Sequence, residues 1–238
     1  LSASVVVRYI LSDLTSGQLL SGEESSPGTS LAGDLGVYYQ NDLYQGEYKY
    51  NYAFGLSLTN VGTPISYTAD ADKVRIPSNL RVGSRLTFPI HETQSISFML
   101  DVNKLLVPTS PLWALDSTSG EYYVRQGYAE PESIVQGMVQ SFYDAPGYLL
   151  PDSTRSVLRE ELHEIMISLG AEYKYKELLA VRMGYFHEHW TKGGRQYFTL
   201  GGSYTWRQLI FNVAYLIPTT DRRSPLDNTF KTTLSFKF

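Results

Sequence analysis

The chain has no cysteine, which excludes disulfides and thiolate metal sites and suits an export route on which an unpaired thiol would be a liability. It has no basic surplus: 20 Lys and Arg stand against 24 Asp and Glu, for a net charge of -4 and a pI near 5.6. A general affinity for nucleic acid is therefore not expected. No apolar run approaches the eighteen or so residues of a membrane-crossing helix, and mean hydropathy is only -0.21. A phosphate-binding loop, a dinucleotide fingerprint, a G-x-S-x-G elbow and an H-E-x-x-H pair are all missing from the sequence. What is plentiful is aromatic: 19 Tyr, with Phe, Tyr and Trp making 13% of the chain, a density that suits sheets and membrane-interface girdles. The chain opens "LSASVVVRYI", without Met or a charged leader, so the reading expects a fragment starting at or near a strand, with any export signal outside it.

Alternation with period two recurs throughout, and successive strand side chains point to opposite faces. In "YKYNYAFGLSLT", Tyr48, Tyr50, Tyr52, Phe54, Leu56 and Leu58 oppose Lys49, Asn51, Ala53, Gly55, Ser57 and Thr59. The last stretch, "NTFKTTLSFKF", places Phe230, Thr232, Leu234, Phe236 and Phe238 on one face. An aromatic strand at a chain end, where soluble proteins usually fray, makes sense if it closes a barrel and faces lipid. Ten strands are predicted, near 2–11, 31–41, 47–60, 79–90, 94–104, 162–174, 178–190, 195–207, 208–217 and 228–238. Connections alternate between tight turns and extended loops, the asymmetry of outer-membrane barrels with short periplasmic turns and long extracellular loops. Both ends of the chain then fall on the periplasmic side. A soluble sandwich or lipocalin-like barrel also alternates, but turns its aromatic face inward. The small polar residues opposite the apolar ones (Gly55, Ser57, Thr59, Gly83, Gly201, Ser203) suit a wet lumen. The fold class expected is all-β, a transmembrane outer-membrane barrel in one domain over 1–238.

The long loop 105–161 carries a predicted helix near 132–143, with Ile134, Val135, Met138, Val139, Phe142 and Tyr143 as its apolar and aromatic positions and a stop at Asp144-Ala145-Pro146-Gly147. Residues 152–161 suggest a second helical turn, and the Ser-, Gly- and Pro-containing loop 12–30 is expected to be flexible. In "HEHW", His187 and His189 sit two apart and would share a strand face, as metal ligands can, but no third ligand is identifiable. His91 and His163 are isolated, and Glu160, Glu161 and Glu164 read as a solvated rim rather than a catalytic pair. No catalytic residue, cofactor or metal site is nominated. A barrel esterase stays open as a minor alternative, with no serine to assign.

Several segments, "LDVNKLLVPTSP" (100–111), "SFYDAPG" (141–147), "EELHEIMISLGAEYKY" (160–175), "GYFHE" and "KGGRQYFTLG" (184–201), "YLIPT" (215–219) and "NTFKTTLSF" (228–236), together resemble the PorV family. These are outer-membrane barrels of the type IX secretion system in Bacteroidetes, distantly similar to FadL fatty-acid channels. Before residue 100 the likeness rests on alternation and "GVYYQ". The resemblance implies a barrel of about fourteen strands, four of them absent from this chain. It implies no catalysis, but a shuttle that takes cargo by its C-terminal signal domain at the translocon pore and passes it to the PorU sortase with PorQ and PorZ. Outer-membrane lipid and lipopolysaccharide are the other implied partners, and family members are linked with lipopolysaccharide deacylation. The loop helix then either offers an apolar platform for cargo, with Met138 and Phe142 as anchors, or plugs the lumen. The second function kept open is a FadL-like channel for hydrophobic small molecules. "TSP" at 109–111 and the long polar stretch 116–131 depart from the family pattern, and point to an outer loop specialised for its partner.

Overall fold

The computed structural model describes residues 1–13, 26–67, 73–220 and 227–237, with the backbone of 19–20 and 23–24. Ten strands form one antiparallel sheet: β1 (Ser2–Ser12), β2 (Gly28–Gln45), β3 (Tyr48–Gly62), β4 (Asn79–His91), β5 (Gln94–Leu105), β6 (Ile165–Tyr175), β7 (Leu179–His187), β8 (Gln196–Trp206), β9 (Leu209–Pro218) and β10 (Phe230–Phe236). Each strand pairs with the next in the chain, so the sheet is an uninterrupted meander. Among the described residues it stays open between β1 and β10. Phe238, assigned from the sequence to the final strand, lies outside them, as does most of loop 12–30.

Register turns the alternation into two continuous faces. Tyr52, Leu86, Phe98, Ala171, Met183, Leu200, Tyr215 and Phe230 form one cross-strand row from β3 to β10. A second row runs Val37, Leu56, Val82, Val102 and Ile167. These side chains are exposed rather than buried: Phe98 by 51%, Met183 by 60% and Phe230 by 65%. A soluble sandwich or lipocalin-like barrel would bury this face, so those alternatives fall here. Burying a face of this kind in hydrocarbon is favourable at roughly 25 cal/mol per Å².

The opposite face is polar and internally paired. Arg8 bonds Asp34 at 2.5 Å and Asn60 at 2.6 Å, and Arg81 bonds Asn103 at 2.5 Å. Arg85 reaches Asn51 at 3.1 Å and the Tyr38 hydroxyl at 3.2 Å, while Arg182 pairs with Glu172. Gly83 leaves room in this row for the Asp101 carboxylate, which would have to turn aside for a Cβ on the cross-strand neighbour. Buried apolar packing is slight: Ala32, Ile65 and Ile76, with Ile10 and Tyr67, seat the 63–78 loop against β1 and β2.

The tight turns fall at Gly46-Glu47, Glu92-Thr93, Lys176 to Leu178 and Arg207-Gln208, all at one end of the sheet. Long connections, 63–78, 106–164 and 188–195 among them, gather at the other. Within 106–164 lie a hairpin (Leu112–Leu115 with Tyr122–Gln126), helix α1 (Ile134–Gln140), a two-residue strand pair (Tyr148–Leu149 with Arg155–Ser156) and helix α2 (Val157–His163). Residues 162–163, assigned from the sequence to the sixth strand, belong to α2, because the Ser156 hydroxyl caps a helix there by accepting from Arg159 N–H at 3.3 Å. The seventh strand ends at His187 rather than 190.

Candidate functional site: the loop end of the sheet

Helix α1 is short, and its surroundings hold it. Ser133 caps it, its hydroxyl accepting from Gln136 N–H at 3.4 Å. Arg75, from the 63–78 loop, clamps the entry: its guanidinium donates to Glu130 at 2.6 Å, to Ser133 O at 3.4 Å and to Pro131 O. A Cβ on Gly137 would come within 3.1 Å of the same guanidinium, closer than side chains usually pack, so the bare helix face lets Arg75 lie against it without shifting. Gln140 donates to Ala129 O at 3.0 Å on the same side.

The other face is open. Val135 is 65% exposed, Val139 57% and Phe142 50%, at spacings of four and three residues that keep them in one stripe. Tyr143 is exposed beside them, its ring edge-on to exposed Tyr128 at 5.5 Å. Ile134 and Met138 are half-buried. Of the two anchors expected from the sequence, Phe142 is displayed and Met138 is turned toward the packed side.

Below this loop lies a charged cluster that sequence reasoning missed. Lys104, at the end of β5 and only 7% exposed, donates to Glu161 at 2.9 Å and Glu164 at 2.6 Å. Lys192 bonds Glu160 at 3.0 Å and Glu164 at 2.9 Å, and the Thr109 hydroxyl donates to Glu164 at 2.7 Å. Glu161 also accepts from Ala145 N–H at 3.0 Å, and Thr109 N–H donates to Asp144 at 3.2 Å. Glu161 and Glu164 are therefore not a solvated rim, as expected, but a buried tie between α2, the end of β5 and the 188–195 turn. Their partners sit too far off in sequence for local pattern to pair them. Burial opposes the charge on Glu164, yet Lys104, Lys192 and Thr109 outweigh it and hold its carboxyl below the usual range. Lys192 is likewise held above the usual lysine range by Glu164 and Glu160, against the effect of burial. Beside this tie, Arg195 grips Glu188 through both carboxylate oxygens at 2.8 Å each.

The histidines of "HEHW" do not share a strand face. His187 ends β7, while His189 caps a single 3-10 turn (Trp190–Lys192), its Nδ1 accepting from Thr191 N–H at 3.4 Å and lying 2.8 Å from the Thr191 hydroxyl. The His189 ring stacks on His163 with centroids 3.4 Å apart, and Tyr148 meets His163 edge-on at 4.9 Å. Among the described residues no group of His, Asp and Glu has metal-binding geometry. Burial, with the Arg159 and Lys192 charges, pushes His163 below the usual imidazole range; burial and the neighbouring His163 and His187 do the same to His189. A depressed imidazole contributes stability above its unfolded pKa and loses it as pH falls. Amides of 188–195 should thus lose hydrogen-exchange protection between about pH 7.5 and 5, and His163→Phe with His189→Phe should remove the dependence. Protection that ignores pH in the wild type would refute the stack as its cause.

An antiparallel meander with an exposed apolar face, a polar paired face and loops gathered at one end defines a protein of the outer-membrane β-barrel class. No helix among the described residues is long and apolar enough to cross a membrane. The sequence model of one family, type IX secretion system protein PorV, matches residues 1–112, a little under half of the chain. That family is one of type IX secretion components. The match covers β1 to β5, the half in which family-like motifs are sparsest; of the long segments quoted above, only "LDVNKLLVPTSP" falls inside it. A search of curated proteins gave no match.

Proposed function

We propose that the chain is the non-catalytic cargo carrier of the type IX system. It binds the C-terminal signal domain of a secreted protein at its outer face, then passes the cargo from the translocon pore to the PorU sortase with PorQ and PorZ. The long-loop end is extracellular, and the tight turns with the C-terminus are periplasmic. The observation that carries this reading is the α1 stripe: Val135 and Val139 on the helix, with Phe142 and Tyr143 in the turn that follows it, are exposed, while the other side of the helix is clamped by Arg75 and Gln140. A rigid apolar patch with a polar surround is what a protein partner needs, and large side chains at its centre dominate binding. A channel for hydrophobic molecules is less well supported, because Arg81, Arg85, Asp101, Glu172 and Arg182 line the inner face.

The test is capture from native outer membranes by full-length protein, wild type beside Val135→Ser/Val139→Ser/Phe142→Ser, read by mass spectrometry. Cargo bearing the signal domain should fall at least about tenfold with the variant, since three truncated contacts at about 1 kcal/mol each exceed that factor. Translocon recovery should persist. Equal cargo recovery from both proteins would sink the platform.

A further inference from the structure

Asp144 follows α1 directly and is fully buried, with 0% exposure. One carboxylate oxygen accepts from Thr109 N–H, and the other, Oδ1, has no hydrogen-bond partner among the described residues. The groups packed around it come from every neighbouring element: Gln140 from α1, Glu161 from α2, Glu164 at the start of β6 and Thr109 beyond β5. Behind these stand Glu160, Lys104 and Lys192. Four carboxylates thus share two ammoniums. Among the described residues Glu160 and Glu161 each touch one of them, Glu164 touches both, and Asp144 touches neither. A proton taken up by the cluster therefore costs least on Asp144. Its burial, with the Glu161 and Glu164 charges adding to it and Thr109 N–H opposing, raises it to about 6.

We propose that Asp144 is a proton-operated latch: neutral, it lets the α1 segment lie down on the charged tie, and ionised, it loosens that segment. What the latch does to cargo rests on the platform reading of α1. The direction follows from linkage. A carboxyl raised above its unfolded value stabilises the packed loop below that unfolded value, and the stabilisation is lost as pH rises through the raised one. The 188–195 turn, governed by neutral imidazoles, runs the opposite way.

The test is hydrogen exchange on the full chain in membranes, resolved by segment and corrected for intrinsic chemical exchange, between about pH 5 and 8. Protection of 127–147 in the wild type should fall by about tenfold across this range, the upper part of a roughly hundredfold loss that begins near the unfolded value of 3.8. Asp144→Asn, which keeps the shape without the charge, should hold these amides protected at every pH. Constant wild-type protection across the range, or a pH dependence surviving in Asp144→Asn, overturns the latch. Should Asp144→Asn fail to fold, the wild-type series alone decides, with 188–195 as the segment moving in the opposite sense. A switch that appears while cargo capture ignores the α1 stripe leaves the latch standing and removes the platform.

Discussion

Replacing Lys104 by methionine should unfasten the loop end of the sheet, at a cost of about 3–5 kcal/mol, the usual penalty for removing one partner of a buried ion pair. The Lys104 ammonium touches Glu161 and Glu164 and lies 5.6 Å from the centre of the Phe142 ring, so one side chain ties β5 to α2 and to the exposed stripe. Without it Glu161 keeps, among the described residues, only the Ala145 N–H, while Glu164 retains Lys192 and Thr109. Limited proteolysis should cut Lys104→Met within 106–164 at a protease level the wild type survives, while the sheet stays intact on heat-modifiability gels. Adding Glu161→Gln should restore much of the resistance, since the damage is an uncompensated buried charge rather than lost packing. Equal cleavage of Lys104→Met and wild type would show that the pair is not structural.

The second large effect concerns the sheet face. Leu100 sits midway along β5 on the apolar face, between Ser84 and Leu169 in the cross-strand row. Leu100→Arg should cost about 2–4 kcal/mol in urea titrations of folding into lipid vesicles, the range for a cation near the bilayer midplane. Ser168→Arg, on the next strand but on the polar face and opposite Asp101, should change stability by less than about 1 kcal/mol, because the new cation gains an acidic cross-strand neighbour. Equal losses at the two positions would contradict the assignment of faces.

The two substitutions separate what local pattern encodes from what it does not. Leu100 and Ser168 owe their faces to the strict alternation of "SISFMLDV" and "IMISLGAEY", which fixes side without reference to any partner. The same local signal placed ten strands within a few residues of their observed bounds, and put tight turns at one end. The helical spacing of "SIVQGMVQ" marked α1 equally well. Which side of α1 is open was not legible, because the answer lies in Arg75, more than fifty residues away.

The charged tie was misread for the same reason. "REELHE" taken alone is a run of solvated acids; only the fold brings Lys104 and Lys192 onto it and leaves Asp144 beside them without a cation. "HEHW" by its spacing put two histidines on one strand face, but the chain turns after His187 and lays His189 on His163. By itself the sequence determined the strands, their faces and the loop asymmetry, since periodicity is a property of neighbours along the chain. Pairing of buried charges, the exposed side of a short helix and the protonation of a lone carboxyl belong to the tertiary structure, because each depends on groups that only folding brings within a few ångströms.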